Sequence, residues 1–241
     1  MSTYAAPLAD RHQIAEGTMA FHLQKPAGFE FRPGQAIDLI LPGHDANANS
    51  QHARHAFSIV SAPHEDELVV ATRMRDSVFK RALGQLSIGA VAQIDGPFGS
   101  LTLHRNPARA GVLVAGGIGI TPFMSMLRHA AKHQVPQDLA LLYSNRRPED
   151  TAFLAELKQL ERQNPRFRLH ATMTDMGRSA QAWAGETRLI DHTLVRRAIE
   201  GLGAPIFYVS GPPAMVDAMR KTLIAANVDE DDLRSEEFHG Y

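Results

Sequence analysis

The stretch Gly111-Val-Leu-Val-Ala-Gly-Gly-Ile-Gly-Ile-Thr-Pro122 runs from a short aliphatic segment into three closely spaced glycines and then into a helix start. The aliphatic run is typical of a buried parallel strand, and the glycines allow the backbone to turn sharply and to approach a ligand. We expect Thr121 to cap the following helix, with Pro122 at its first position. Unpaired amides and the positive end of the helix dipole would then face an anion, so the stretch predicts a pyrophosphate site.

The same glycine cluster has a second interpretation. Strand-to-helix turns often carry glycines for packing alone and bind nothing. Here Gly116, Gly117 and Gly119 are followed by Thr-Pro, so the spacing departs from the Rossmann fingerprint, which has a third spaced glycine. The stretch by itself therefore leaves a packing turn and a dinucleotide site equally open.

The composition predicts a globular protein of two domains. The chain has 241 residues, of which 44% are hydrophobic and 21% charged, enough for one large core or two modest ones. The formal net charge of −1 gives no overall attraction to polyanions, so we expect neither a nucleic-acid nor a membrane partner. The absence of cysteine excludes disulfides, thiolate catalysis and a cysteine-ligated iron–sulfur cluster within these residues. Because no signal peptide and no long apolar run is present, we expect a cytoplasmic protein.

The hydrophobic period changes near residue 105, which predicts a domain boundary. Before it, short runs separated by turns favour an antiparallel barrel or sandwich, with one helix from Ser77 to Leu86. After it, apolar runs alternate with helical patterns, as in a parallel sheet with crossover helices. We predict an N-terminal antiparallel β-barrel domain over 1–105 and a C-terminal α/β domain over 109–241. The expected strands are 17–24, 36–41, 55–61, 67–74, 90–95, 111–115, 138–144, 166–173 and 205–210, and the later helices 122–133, 149–163, 191–200 and 213–226.

Three further motifs accompany the glycine-rich turn, in order and across nearly the whole chain. They are Arg54-His-Ala-Phe-Ser-Ile-Val-Ser61, Asp95-Gly-Pro-Phe-Gly99 and Ser210-Gly-Pro-Pro213. Together the four motifs resemble the ferredoxin–NADP⁺ reductase-like flavoprotein family. The resemblance implies an FAD-binding barrel followed by a nicotinamide-dinucleotide domain, with hydride passing from the nicotinamide to flavin N5 at their junction. It implies an NAD(P)H-dependent flavoprotein reductase whose electrons go to a separate acceptor, such as a ferredoxin, an oxygenase component or a small molecule.

The family's Arg-x-Tyr-Ser pattern has a partial match here. In that pattern the aromatic ring lies on the flavin, the hydroxyl reaches N5 and the arginine pairs with the pyrophosphate. Phe57 and Ser58 match the last two positions, whereas His55 takes the arginine's place and Arg54 is displaced by one residue. Neighbouring strand residues point to opposite faces, so Arg54 does not simply replace the missing arginine, and a plain barrel strand is the alternative. By resemblance, the FAD-binding residues are Arg54, His55, Phe57, Ser58, Ile59, Ser77, Val78, Phe79, Phe238 and Tyr241.

Candidate nucleotide contacts follow the strands of the second half, at the edge where parallel sheets bind ligands. Ser144 and Arg146 come after the second strand, and Asp175 comes after the third. An arginine there favours the 2′-phosphate of NADPH, whereas an acidic residue accepts hydrogen bonds from a ribose diol. We expect NADH as donor, with NADPH as the alternative, and Trp183 with Gly185 resembles a stretch of NADH-using members. By resemblance, the nucleotide-binding residues are Gly116, Gly117, Gly119, Thr121, Pro122, Ser144, Arg146, Asp175, Ser210, Gly211 and Pro212.

Two segments near the end of the chain complete the resemblance. Ser210 stands where the family usually has a cysteine near the nicotinamide, so a small polar atom is kept and the polarizable sulfur is lost. The final Glu-Glu-Phe-His-Gly-Tyr resembles the family's acidic and aromatic ending. Phe238 is expected to cover the flavin, with Tyr241 as second choice, and Ser58 with Glu237 forms the candidate catalytic proton route. An exposed acidic tail is the alternative explanation.

The same residues bear on three other functions. We expect no metal site, because His52 and His55 at spacing i, i+3 point to opposite faces of a strand and lack a further ligand at suitable spacing. A flavin reductase that uses flavin as a loosely held substrate would explain the histidine at position 55. A non-catalytic module that binds flavin or nucleotide for regulation would carry the same motifs.

Overall fold

The computed structural model describes residues 2–42 and 53–238. Within these residues the chain forms eleven β-strands and five α-helices. The strands are β1 (Ser2–Ala15), β2 (Thr18–Gln24), β3 (Ala36–Ile40), β4 (Arg54–Ser58), β5 (Glu67–Arg73), β6 (Val91–Phe98), β7 (Gly111–Gly116), β8 (Leu139–Asn145), β9 (Phe167–Met173), β10 (Ile206–Gly211) and β11 (Leu233–Glu237). The helices are α1 (Val78–Gln85), α2 (Thr121–His133), α3 (Leu154–Gln163), α4 (His192–Ala198) and α5 (Pro213–Ala225).

The N-terminal half is a closed antiparallel barrel. Its six strands run in the order β4-β3-β6-β1-β2-β5. The residues that follow β4 join it to β5, because Ile59 bridges Val70 and the amide of Val60 donates to the carbonyl of Val69 at 2.8 Å. Closure pairs the edges of the sheet and decides between the two expected architectures in favour of the barrel.

The C-terminal half is a parallel sheet covered by helices on both faces. Its strand order is β11-β10-β7-β8-β9, and all six residues of the central β7 are buried. Leu113 and Ala115 face the core formed with α2 and α3, whereas Val112 and Val114 face the core formed with α4 and α5. A strand buried on both faces carries a continuous aliphatic run, as the sequence of β7 predicts.

The two halves share a hydrophobic core. On β5, Leu68 and Val70 pack inside the barrel, while Val69 and Ala71 join the core that contains α2. A hydrogen bond reinforces this contact, because the hydroxyl of Ser125 on α2 donates to the carbonyl of the barrel residue Ser61 at 2.7 Å. The barrel and the parallel sheet are therefore held in one relative position, which fixes the geometry of the cleft between them.

Two strands were not predicted from the sequence. β1 contains Pro7 and a polar run near its end, so its apolar alternation is weak, although it pairs with both β2 and β6. β11 lies in the acidic and aromatic ending, for which no strand was predicted, and it pairs in parallel with β10. The helix expected over 149–163 begins only at Leu154, because Pro148–Asp150 forms a separate 3₁₀ turn and Phe153, the residue before α3, has a φ of +61°. Among the described residues, every helix falls short of the length and apolar character that crossing a bilayer requires.

Candidate functional site

A cavity of about 270 Å³ opens between the barrel and the parallel sheet. Its volume lies near the lower end of the range for small-molecule sites, roughly 300–1,000 Å³. The barrel, α1, the glycine-rich turn and the C-terminal strand all contribute to its walls. The lining residues are Ala36, His55, Ala56, Phe57, Ser58, Ala71, Thr72, Lys80, Phe98, Ile118, Thr121, Glu236, Glu237 and Phe238.

The barrel wall of the cavity is formed by the end of β4. Phe57 and Ser58 line the cavity and are only 8% and 6% exposed. The ring of Phe57 packs against Phe79 of α1, with 5.9 Å between ring centroids, so the cavity wall is supported by the barrel core. Ile59 is fully buried in that core and does not line the cavity. The pair Phe57-Ser58 thus faces the cavity, and Ile59 supports it from behind.

Arg54 and His55 have different surroundings. The guanidinium of Arg54 donates to Asp38 at 2.6 and 2.9 Å and to Asp95 at 2.7 Å, and these bonds raise its pKa. Its side chain lies outside the cavity lining, whereas that of His55 lies within it. Burial, with a smaller effect of the Lys80 charge, lowers the pKa of His55, which favours the neutral ring. Arg54 stands one position before the family's arginine, and His55 stands in that arginine's place. As a result, β4 presents no positively charged side chain to the cavity.

Lys80 supplies a cation that the sequence analysis missed. The residue is 8% exposed and lines the cavity, and no carboxylate among the described residues forms an ion pair with its ammonium. Burial and the charge of Arg75 lower its pKa. A buried cation without a counterion is costly, so the cavity is suited to an anionic ligand group. The sequence did contain a signal for Lys80, because it is a lysine in the first turn of a helix whose start was already predicted.

The start of α1 agrees with the sequence-based expectation. Ser77 is the N-cap, and its hydroxyl accepts a hydrogen bond from the amide of Lys80 at 3.2 Å. The hydroxyl of Ser77 is thus used within the helix, and the first-turn amides of Val78 and Phe79 have no acceptor inside the helix. Val78 is 48% exposed while Phe79 is buried in the barrel core, and both side chains are apolar, so these two residues offer a ligand polar groups only through their backbone amides.

The glycine-rich turn is shaped mainly by packing against the chain itself. A Cβ at Gly116 would overlap Sδ of Met215, and a Cβ at Gly119 would overlap the carbonyl oxygen of Ser210. Gly117 has a φ of +54° and open space around its Cβ position. Gly116 and Gly119 therefore allow the β7–α2 turn to contact the β10–α5 turn, and Gly117 provides the positive φ that the turn needs.

The expected capping role of Thr121 is wrong. A 3₁₀ turn over Gly117–Ile120 continues directly into α2, so Thr121 already has helical geometry. Its hydroxyl donates to the carbonyl of Ile118 at 3.0 Å and does not accept from a helix amide. Pro122 lies in the first turn as expected. Ile118 and Thr121 nonetheless line the cavity, so this end of α2 still faces it.

The β10–α5 turn meets the glycine-rich turn and the C-terminal strand. Ser210 is fully buried, and its hydroxyl has no hydrogen-bond partner among the described residues. Gly211 has a φ of +159°, and its carbonyl accepts from the amide of Phe238 at 2.9 Å. Pro212 precedes α5 as its N-cap residue. The fold thus brings three separate sequence motifs to one end of the cleft.

The C-terminal strand carries two carboxyl groups to the cavity. In β11, Glu236 is in register with Ser210 and Glu237 with Gly211, and both line the cavity together with Phe238. Burial raises the pKa of Glu236, a group that the sequence analysis did not select. Tyr241 lies outside the described residues.

The predicted nucleotide contacts Ser144, Arg146 and Asp175 lie at the carboxyl edge of the parallel sheet, away from the cavity lining. The amide of Asp175 donates to the carbonyl of Arg146 at 2.8 Å, so the loops after β8 and β9 are adjacent. Arg146 is exposed, and Asp175 is 37% exposed with Arg178 at 3.9 Å. Arg147 is occupied by Asp150 at 2.8 Å. One basic and one acidic side chain are therefore accessible at the same edge.

The Trp183–Gly185 stretch is a folded loop beside β9. The indole nitrogen of Trp183 donates to the carbonyl of Glu186 at 2.8 Å. A Cβ at Gly185 would lie 2.6 Å from the indole ring, so glycine is needed for this packing. The loop contributes to a second cavity that also includes His170, apart from the cleft between the domains.

Comparisons with known proteins agree with this architecture. The model of the oxidoreductase NAD-binding domain family matches residues 113–221. A ferredoxin NADP⁺ reductase from Neisseria gonorrhoeae, solved with bound FAD and NADP, superposes with a TM-score of 0.80 at 22% identity, covering 98% of both chains. The chain thus has the two-domain fold of that reductase, and residues 113–221 match the oxidoreductase NAD-binding domain family.

Curated relatives match over most of the present chain. The reductase component of propane 2-monooxygenase from Rhodococcus jostii is 27% identical over 217 residues, which cover 89% of this chain and 57% of the relative. The reductase subunit of glycine betaine monooxygenase from Chromohalobacter salexigens is 25% identical, with coverages of 92% and 60%. The chain therefore spans about three fifths of the length of these relatives.

Proposed function

We propose that this chain is an FAD-dependent NAD(P)H oxidoreductase that passes electrons to a separate acceptor such as a ferredoxin or an oxygenase component. The observation that carries the proposal is the cleft between the two domains. Its lining combines Phe57 and Ser58 of the barrel, Lys80 of α1, Thr121 of α2 and the C-terminal Phe238. Aromatic, hydroxyl and cationic groups in one cleft suit a planar ring attached to a phosphate chain.

The residues present fit FAD. Lys80 and the first-turn amides of α1 offer positive charge to a pyrophosphate, and they lie on the same wall as Phe57. Phe57 and Phe238 offer aromatic surfaces within the cavity. In this assignment Lys80 supplies the positive charge that the family's arginine offers to the pyrophosphate and that His55 does not supply. Arg54 does not take this role, because its guanidinium is bound by two carboxylates.

Each residue of the cleft then has a defined task. Bound FAD would accept a hydride from the nicotinamide and release the electrons one at a time. The protein orients the two rings, with Phe57 as one support and Phe238 as a removable cover. The hydroxyl of Ser210 is fully buried beside the glycine-rich turn and outside the cavity lining, so a ligand reaches it only if this turn moves. We assign Ser58 and Glu237 to a proton route; a Glu237→Gln variant that keeps its flavin and an unchanged reduction rate would remove this role.

The acceptor is proposed from the relatives and the composition. Two curated relatives are by name the reductase parts of monooxygenases, which work with other components. The 241 residues contain no cysteine, so a cysteine-ligated cluster would have to be supplied from outside them. A flavin that splits an electron pair suits such a one-electron acceptor.

One observation favours a second candidate function. Because Arg54 is bound to Asp38 and Asp95, the barrel offers fewer free charges to FAD than the family pattern provides. A flavin reductase that uses flavin as a loosely held substrate would accept this arrangement. Protein that stays yellow through gel filtration supports the bound-cofactor proposal, whereas protein that loses its flavin there supports the flavin reductase.

The Lys80→Gln variant tests the binding site of the proposed cofactor. A hydrogen bond to a charged group contributes about 1.5–3 kcal/mol, so its loss should weaken FAD binding by about tenfold to a hundredfold. The dissociation constant is measured by the quenching of flavin fluorescence during titration of the apoprotein. The matched control is Lys221→Gln, because Lys221 is exposed on α5. Equal FAD affinity in wild type and Lys80→Gln would contradict the assignment.

A further inference from the structure

Three histidines from the two domains meet at the far end of α2. His129 and His133 lie on α2, and His64 lies in the loop between β4 and β5. Each histidine contributes one ring nitrogen, and these three nitrogens all lie within 4.8 Å of one another. The ring centroids of His129 and His133 are 4.3 Å apart, and His64 is 5.5 Å from His133.

The fold holds this histidine cluster together from both sides. His129 and His133 are spaced i, i+4, so they share one face of α2. The loop that carries His64 is attached to the same helix by Arg128, whose guanidinium contacts Glu65 at 3.2 Å. The separation of the rings is therefore set by packing between the barrel and α2.

The histidine cluster is suited to metal ligation. Neutral imidazole nitrogens are common metal ligands, and each of the three rings brings one nitrogen to within 4.8 Å of the others. Nδ1 of His129 is buried and has no hydrogen-bond partner among the described residues, so no bond at that atom restrains the ring. The charged groups that face His64 are Glu65, Lys132 and Lys25, of which only Glu65 is negative.

We propose that His64, His129 and His133 form a binding site for a divalent transition-metal ion, with Zn²⁺ as the probe ion, that joins the two domains. Imidazole nitrogens suit Zn²⁺, Cu²⁺ and Ni²⁺, and three of them with one open position form a known zinc ligand set. Zn–N bonds of about 2.0–2.1 Å require nitrogen separations of roughly 3.4 Å in a tetrahedral site. The three nitrogens lie within 4.8 Å of one another, and because His64 and His133 are exposed, their rings have room to turn toward a bound ion.

The proposed ion has a structural role apart from the cleft. His129 follows Thr121 by eight residues and His133 by twelve, which corresponds to about 12 and 18 Å along the helix axis. An ion at this distance links the barrel loop to α2 without touching the cavity lining. The proposal thus stands independently of the proposed function, and it revises the expectation of no metal, which was argued from the spacing of His52 and His55.

Titration of the chelator-treated full chain with Zn²⁺ by calorimetry tests the proposed site. We expect one ion per chain, with binding weakened at least tenfold in His129→Ala and in His133→Gln. The matched control is His192→Ala, which removes an exposed histidine at the start of α4 and should bind as wild type does. Wild-type binding that is absent, or that is unchanged in both cluster variants, would overturn the proposal.

Thermal unfolding provides a second readout that does not depend on activity. An ion that binds only the folded chain raises the midpoint temperature, so Zn²⁺ should raise Tm for wild type and for His192→Ala. His133 is exposed, so His133→Gln should unfold like wild type in the presence of chelator and should lose the Zn²⁺-dependent shift. An equal Zn²⁺-dependent shift in His133→Gln would contradict a site at the histidine cluster.

Discussion

At the scale of single residues, the chemistry of the cleft depends on buried charge. Lys80 and Glu236 both line the cavity, and burial shifts the pKa of each toward the neutral form. Lys80 belongs to no sequence motif, and within the acidic and aromatic ending only Glu237 was selected, not Glu236. Their burial results from contacts between distant segments, which is why sequence patterns identified Phe57 and Ser58 but neither of these two groups.

Glu236 predicts a particular dependence of stability on pH. Because the folded chain holds its pKa above the unfolded value of about 4.3, its contribution to stability is present below that value and is lost as the pH rises through the folded pKa. Glu236→Gln removes this loss, so the variant should gain stability relative to wild type as the pH approaches 7. Tm measured at intervals between about pH 4 and pH 8 checks this. Glu200→Gln, at an exposed position, is the control, and parallel curves for wild type and Glu236→Gln would contradict the prediction.

Asp175 predicts the choice of nicotinamide nucleotide. A carboxylate at this edge accepts bonds from a ribose diol and repels a 2′-phosphate, and Arg146 lies beside it to receive such a phosphate. Asp175→Ser should therefore shift the ratio of kcat/KM for NADPH to that for NADH upward by about tenfold, or ~1.4 kcal/mol. Asp217→Ser on α5 serves as the control. A ratio that does not change in Asp175→Ser would show that the carboxylate does not contact the ribose.

At the scale of elements, the two turns at the end of the cleft depend on each other. Gly116 and Gly119 contact Met215 and Ser210, so the β7–α2 and β10–α5 turns form one packed unit. The sequence left a packing turn and a ligand turn equally open. The structure shows that these two glycines are required for packing, and that the residues beyond them, Ile118 and Thr121, reach the cavity.

The Gly119→Ala variant tests this packed unit. The new methyl group would overlap a backbone carbonyl that cannot move aside, so we expect a loss of about 2 kcal/mol or more in the free energy of unfolding. Urea unfolding measures the loss. Gly177→Ala is the matched control, because its Cβ would have open space, and a change within about 0.5 kcal/mol is expected there. Equal stability of the two variants would contradict the packing argument.

The predictability of the elements follows from their patterning. Strands with clear aliphatic runs, such as β5 and β7, and the helix capped by Ser77 were predicted from local sequence. β1 and β11 were not, because the apolar alternation of β1 is interrupted by Pro7 and a polar run, and four of the five residues of β11 are polar. Strand pairing of this kind satisfies backbone hydrogen bonds and leaves little trace in side-chain periodicity.

At the scale of the whole molecule, function depends on the relative placement of two domains. The core that contains α2 extends into the barrel through Val69 and Ala71, and Arg128 joins Glu65 of the barrel loop to Glu156 of α3. This shared core explains why motifs from both ends of the chain line one cavity. The sequence predicted the order of the domains, while the interface between them became apparent only in three dimensions.

The central claim is that the cleft holds a flavin where a nicotinamide nucleotide can reduce it. The most direct measurement is anaerobic rapid mixing of the FAD-loaded chain with NADH, and separately with NADPH, while the yellow flavin absorbance is recorded. The proposed function predicts rapid loss of that absorbance with at least one of the two nucleotides. Flavin that stays bound and oxidised with both nucleotides would contradict it and would favour a non-catalytic binding module.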